Sequence, residues 1–254
     1  MVLSRRVSLG GTHLDSLDNS IVIRNVQTGV PHESVNAVNR MGGFGQRVTH
    51  QHWETLEVSV TFAIDLPKTN LTARRAVFNK VVHWANNQGW LTTNQMSGKR
   101  MYAEKAVFPS GGDMRDWLSE YTVIFRAYGV PFWQDSTATS ASNGSLTVPG
   151  ETTTVCNAEI ANGGNSTINS LTVTAGDSTM EFSSLGLAAG ETLKIGHGNN
   201  GVLWIRIYDS NNIYRSAMGK RTGGSADDLY VEPGTASVSA TAGTATFSCY
   251  GRYL

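Results

Sequence analysis

Leu56, Val58, Val60, Phe62 and Ile64 alternate with Thr55, Glu57, Ser59, Thr61 and Ala63 in one uninterrupted run. Successive side chains on a strand point to opposite faces, so this run buries one face and wets the other. Pro67 ends it, and a different period begins at once. Val77, Phe78, Val81, Val82, Trp84 and Ala85 recur at spacings of three and four, the apolar stripe of an amphipathic helix over about 71–86. Asn70 or Thr72 can cap its first turn, and Asn86, Asn87 and Gly89 stop it. Arg74, Arg75, Asn79, Lys80 and His83 are read as wet positions, which gives the helix a basic outer face. No other stretch of the chain makes a convincing helix.

Strands follow: Trp90-Leu91, Tyr102–Phe108 and Tyr121–Phe125, with Pro109–Asp113 as a turn before the last. Upstream, Arg5–Leu9 and Ser20–Val26 are short β-like pieces. Thr28 to Arg47 lacks periodicity and reads as an extended excursion or long hairpin loop, a kind of segment often used for contacts. Pro131 closes a first domain, set at residues 1–134. The run of Ser, Thr and Ala from Asp135 to Gly144 reads as a linker over 135–145. A second domain, 146–254, is all β. Its strands are expected at Thr153–Ile160, Ser170–Ala175, Thr179–Phe182, Glu191–Ile195, Val202–Tyr208, Leu229–Val231, Ala236–Ala240 and Ala245–Tyr250, and turn signals such as Gly176-Asp177 and Pro233-Gly234 separate them. Short strands at this spacing suggest a β-sandwich. The fold class is therefore mainly β: a sandwich-like first domain with one α-helix, then a second sandwich.

Twenty basic and twenty acidic residues leave no net charge, so no global field favours nucleic acid or an anionic membrane. Charged residues are 16% of the chain against roughly 25% in ordinary soluble domains, with Gly, Ser, Thr and Asn in their place. That balance suits turn-rich β proteins and proteins that hide surface in assemblies. The first ten residues carry two arginines without an apolar core behind them and are not read as a signal peptide. No apolar run reaches the roughly 18 residues of a spanning helix, so no membrane insertion is expected. Cys156 and Cys249 are far apart, each in strand-like sequence. Two buried thiols in a reducing cytosol are the expectation, with a disulfide as the alternative.

Chemistry-bearing motifs are sparse. Gly42-Gly43-Phe44-Gly45 and Gly196-His197-Gly198 are glycine-rich, but neither leads into a helix, the context a phosphate cradle requires. His50, His52 and Glu54 share one strand face and could approach a metal, yet no further histidine or cysteine pattern joins them, and they are read as solvated. Asp227-Asp228 lacks a calcium-binding loop. There is no Gly-x-Ser-x-Gly elbow, and neither cysteine has a neighbour that would activate its thiol. No catalytic, cofactor or metal residue is assigned, and the chain is not read as an enzyme. One binding candidate survives: Trp204, Tyr208 and Tyr214, with Tyr230, could stack on a sugar, against the plainer expectation that Trp204 packs in the core and the tyrosines anchor loops.

The order of elements resembles a family. The strand Leu56–Ile64, the helix Leu71–Trp84, Gly89-Trp90-Leu91 with Met101-Tyr102-Ala103, and Tyr121–Arg126 running into Val130-Pro131-Phe132-Trp133 are similar to the N-terminal domain of distal tail (Dit) proteins of long-tailed siphophages. The second half, through Gly190–Ile195, Val202–Ile205, Asp228–Gly234 and Cys249–Tyr253, looks like that family's galectin-like, carbohydrate-module-like sandwich. The resemblance implies a structural virion protein at the phage tail tip, assembled in the bacterial cytoplasm. It implies a homohexameric ring whose N-terminal domains form the annulus, joining the tail tube protein to the tail-tip, baseplate and host-adhesion proteins. The tape-measure protein would occupy the channel, no specific nucleic acid would be bound, and no cofactor is needed. A host glycan is the alternative ligand of the second domain. Met41, Gly42, Gly43, Phe44 and Gly45, with Arg74 and Arg75, are the candidate subunit contacts.

Overall fold

The computed structural model describes residues 6–39, 46–109 and 120–254, in two compact units that change over between Trp133 and Gln134. In the first unit the strands are β1 (Val7–Leu9), β2 (Thr12–His13), β3 (Ile21–Thr28), β4 (Glu33–Asn39), β5 (Gln46–Trp53) and β6 (Leu56–Ile64). Helix α1 (Leu71–Ala85) follows, then β7 (Gly89–Thr93), β8 (Lys99–Ala103), β9 (Lys105–Val107) and β10 (Tyr121–Ala127). The strands pair in the orders β3-β6-β10-β9 and β2-β1-β7-β8, and β4 pairs with β5.

β6 keeps its alternation: Leu56, Val58, Val60 and Phe62 are buried, with half-exposed residues between them. The register with β10 sets Val60 against Val123 and Thr61 against Thr122. One face of that sheet is thus apolar, and its other face carries the Thr61–Thr122 hydroxyl contact at 3.1 Å. Helix α1 covers the apolar face. Trp84 meets Phe125 edge-on at 5.5 Å and Phe78 lies 5.0 Å from Tyr121, and Trp84 donates its indole N–H to the Thr12 carbonyl. Asn70 caps the helix by accepting from the Ala73 amide at 3.2 Å.

Arg74 corrects the reading of a basic outer helix face. It is buried, and its guanidinium donates to the carbonyls of Ile64 and Leu66 at 2.9 and 2.8 Å. Ile64 ends β6 two residues past its last β10 partner, Phe62, and Leu66 lies beyond the strand, where buried carbonyls short of donors are costly. Arg74 therefore closes the sheet end and is withdrawn as a subunit contact. Arg75 is exposed. The stretch read as one strand at Tyr102–Phe108 is two, β8 and β9, broken at Glu104, whose amide donates to the Arg126 carbonyl.

The second unit follows β11 (Trp133–Asp135), which spans the changeover. Its strands are β12 (Thr139–Ser142), β13 (Gly144–Val148), β14 (Thr154–Ala161), β15 (Leu171–Ala175), β16 (Ser178–Phe182), β17 (Thr192–His197), β18 (Leu203–Tyr208), β19 (Tyr214–Ser216), β20 (Tyr230–Val231), β21 (Gly234–Ala240), β22 (Thr244–Cys249) and β23 (Arg252–Tyr253). One sheet runs β12-β22-β14-β17-β18-β19, with β20 also on β14, and the other runs β13-β21-β15-β16. Their inner faces share a core that includes Leu146, Ile160, Met180, Phe182, Ile205 and Phe247. Gly176, at φ +57°, begins the two-residue loop between Ala175 and Ser178, a position where a side chain would be strained. The polar run read as a linker forms β12, paired to β22 from Thr139–Cys249 to Ser142–Thr246. Ser and Thr tolerate an extended, half-wet edge, and there composition does not separate strand from linker.

Candidate assembly surface

β4 and β5 form a ribbon whose strands pair only with each other among the described residues. Seven register pairs hold it, from Glu33–Trp53 to Asn39–Gln46, with a shift between Asn36 and Ala37. The described part of the aperiodic Thr28–Arg47 stretch thus takes the form of two antiparallel strands, with β5 extending beyond it to Trp53. A bulge breaks the strict alternation that sequence inspection relies on. A two-stranded ribbon is marginal in water on its own, and its outer backbone edges are templates for further pairing.

The root of the ribbon is firmly held. The Glu54 amide donates to the His32 carbonyl at 2.9 Å, and the Gly29 amide donates to the Glu57 carbonyl at 2.7 Å. A Cβ on Gly29 would lie 2.7 Å from that same carbonyl oxygen, so only glycine allows the approach. Trp53 meets Phe132 edge-on at 5.0 Å, which ties the returning strand to the Pro131-Phe132 corner.

Beside this root lies an open cleft of about 420 Å³, lined by Val30, His32, Glu54, Glu57, Arg126 and Tyr128. Glu57 and Arg126 pair at 2.7 Å, and His32 lies 3.7 Å from Glu54. A hydrogen bond with Tyr128, then the Glu57 carboxylate, raise Arg126 above its ordinary pKa. Val30 and Tyr128 are exposed at 69% and 46%. Apolar and charged groups side by side on an open surface suit a protein contact better than a reaction, because nothing here excludes water. The segment Met41–Gly45 lies outside the described residues.

In the second unit, Ile205 and Ile207 enter the core, so Trp204, Arg206 and Tyr208 stand on the outer face of β18. Trp204 is half-exposed and does not pack in the core. Its ring lies across Gly196, where a Cβ would come within 2.5 Å of the indole. The Arg206 guanidinium sits 4.9 Å from the Trp204 ring centre and 4.2 Å from that of Tyr214. Tyr208 and Tyr214 are register partners with ring centres 5.6 Å apart. Trp204, Tyr208 and Tyr214 therefore share one surface, interleaved with a cation that sequence reasoning passed over, while Tyr230 lies apart on β20, opposite Val155 of β14.

A buried polar cluster also went unread. His197 Nε2 lies 2.8 Å from both Asp228 carboxylate oxygens, and Nδ1 lies 2.9 Å from Asn157 Oδ1. The His197 and Asp228 side chains are only 6% and 11% exposed. Because both side chains are nearly withdrawn from solvent and each hydrogen-bonds within the cluster, it ties β14, β17 and the segment before β20 together.

No family model and no curated protein sequence matches the chain. Solved structures do. The fold is similar to that of the Dit protein of phage SPP1, described as a paradigm of the hub adsorption apparatus in phages infecting Gram-positive bacteria. The identity is 15%, the TM-score 0.63, and the match spans 98% of this chain and 99% of that one. Chains of the phage P2 baseplate in its activated conformation match more loosely. The calcium form has 8% identity and a TM-score of 0.47, covering 99% and 98% of the two chains. The strontium form has 7% and 0.45, covering 97% of each. At these identities the likeness is one of fold. This chain carries a Dit-type fold over 98% of its length.

Proposed function

We propose that the protein is a structural hub of a phage tail tip, a non-enzymatic ring subunit that joins the tail tube to the baseplate and host-adhesion proteins. The observation that carries this reading is the two-stranded ribbon β4–β5. It is anchored at its root and takes no further strand on either edge among the described residues, in a chain of which 98% follows the SPP1 Dit fold. A subunit of a closed ring presents two different surfaces, one to each neighbour. The ribbon is the projecting surface, and the first domain builds the annulus. Six copies would enclose a channel for the tape-measure protein. The test is the mass of the purified protein by size-exclusion chromatography with light scattering. The expected value is six times the chain's 27.4 kDa, and a stable monomer at micromolar concentration would sink the ring.

A second reading rests on one specific observation, the outward-facing, half-buried Trp204 ring beside Tyr208 and Tyr214. It assigns that face to a host cell-wall glycan, with the rings stacking on sugar planes. Calorimetric titration with soluble wall polysaccharide should then show binding that Trp204→Ala weakens at least tenfold, and equal binding by both proteins would eliminate it.

A further inference from the structure

The chain contains two cysteines in 254 residues, and the fold places them directly opposite each other. Cys156 on β14 and Cys249 on β22 are register partners, and both are fully buried in the same core. The Cys156 amide donates to the Leu229 carbonyl at 2.8 Å, away from β22. The two residues therefore form a non-hydrogen-bonded pair, the closer of the two antiparallel spacings, with Cα atoms about 4.5 Å apart. A disulfide accepts Cα separations of roughly 4.4–6.8 Å, and register partners direct their side chains to the same face. We propose that Cys156 and Cys249 are a cystine site: a cross-strand staple that closes when the protein meets a disulfide oxidant.

The surroundings explain why the thiols persist until then. Burial, then the neighbouring Cys249, push the Cys156 thiol up to about 12. Burial also raises Cys249, opposed by the Thr139 hydroxyl 3.4 Å from its sulfur. The thiolate is the attacking form, so exchange in the closed domain is slow and proceeds through local opening. β12, which carries Thr139, is the terminal strand of its sheet, and edge elements open at low free-energy cost.

The chemistry balances with a small disulfide such as oxidised glutathione. The Cys249 thiolate attacks one of its sulfurs, the S–S bond breaks, and one glutathione thiolate leaves with an electron pair. The Cys156 thiolate then attacks the Cys249 sulfur of the mixed disulfide and expels the second. The two protons lost by the cysteines end on two glutathione thiols, and the two electrons reduce the oxidant.

The setting for this step, thiols during assembly in a reducing cytosol and oxidation once released, rests on the proposed virion role. The bond itself does not, so chain mass in solution tests one and thiol content the other. The experiment exposes the full-length protein to oxidised glutathione, both folded and while refolding from urea. Intact mass should fall by two hydrogens, with peptides bearing Cys156 and Cys249 linked within one chain. Closing a loop of roughly 90 residues should raise the second unit's Tm by about 5 °C or more, reversibly with dithiothreitol. Cys249→Ala should form no such bond and show no oxidant-dependent Tm rise. Refolded protein with native circular dichroism but two free thiols would overturn the proposal, as would a linkage between chains or a glutathione adduct that never resolves.

Discussion

A chain lacking residues 34–52, with Glu33 joined to Trp53 through two glycines, should be a folded monomer that no longer forms the ring. The geometry makes this excision mild for the fold. Glu33 and Trp53 are register partners, so a two-residue loop suffices to connect them. The His32–Glu54 backbone bond just below the cut remains, and so does the packing of Trp53 on Phe132. Among the excised residues whose side chains are described, Val35 and His52 are exposed and none enters the apolar core around β6, β10 and α1, so thermal unfolding should shift by only about 2–4 °C. Assembly should change far more. In a closed ring every subunit gives and receives the same contact, so one excision weakens all of them together. Light scattering should report the mass of a single shortened chain, with circular dichroism matching the parent. A hexamer that survives excision would remove the ribbon from the ring contact, and an unfolded product would show that the ribbon belongs to the core.

The same ribbon marks where sequence reading stops. β6 and α1 were legible because each has one dominant period and one buried face. In the second unit the expected strands agree with the structure to within one or two residues, because apolar alternation and turn glycines bound each of them. The ribbon has a register shift at Asn36–Ala37, which interrupts the alternation that β6 displays. β12 has no apolar signal, and its pairing with β22 is decided by a strand a hundred residues later. Arg74 looked wet because charge ordinarily implies exposure. What buries it is the supply of carbonyls at the end of β6, a tertiary fact. Cys156 facing Cys249 is likewise a matter of register between distant strands, and neither local sequence contains a signal for it. Trp204 was expected inside on the average behaviour of large aromatics. Its parity along β18 decides otherwise: Ile205 and Ile207 take the core side, and their neighbours face out.

Asp228→Ala should be among the most destabilising single substitutions in the second unit, costing about 3–5 kcal/mol, the range for removing one partner of a buried ion pair or its hydrogen-bonded equivalent. The Asp228 carboxylate meets His197 Nε2 with both oxygens at 2.8 Å, and Oδ1 also accepts the Leu229 amide at 2.7 Å. His197 ends β17, Asn157 lies on β14, and Asp228 precedes β20, so one cluster ties three segments together. Alanine would leave an imidazole nitrogen and an amide without acceptors in a nearly dry site, and the cost of unmet buried donors exceeds that of the lost attraction. Asparagine retains one oxygen acceptor without the charge and should cost less, roughly 1–3 kcal/mol. Asp227→Ala is the neighbouring control. Its carboxylate is fully exposed and lies 3.7 Å from Arg221, so its removal should leave the unfolding midpoint essentially where the parent has it. Urea unfolding of the three variants gives the ranking. Hydrogen exchange gives the location, since the Cys156 amide bonded to the Leu229 carbonyl should lose protection first in Asp228→Ala. Equal stability of Asp228→Ala and Asp227→Ala would mean that water reaches His197 and the cluster bears no weight.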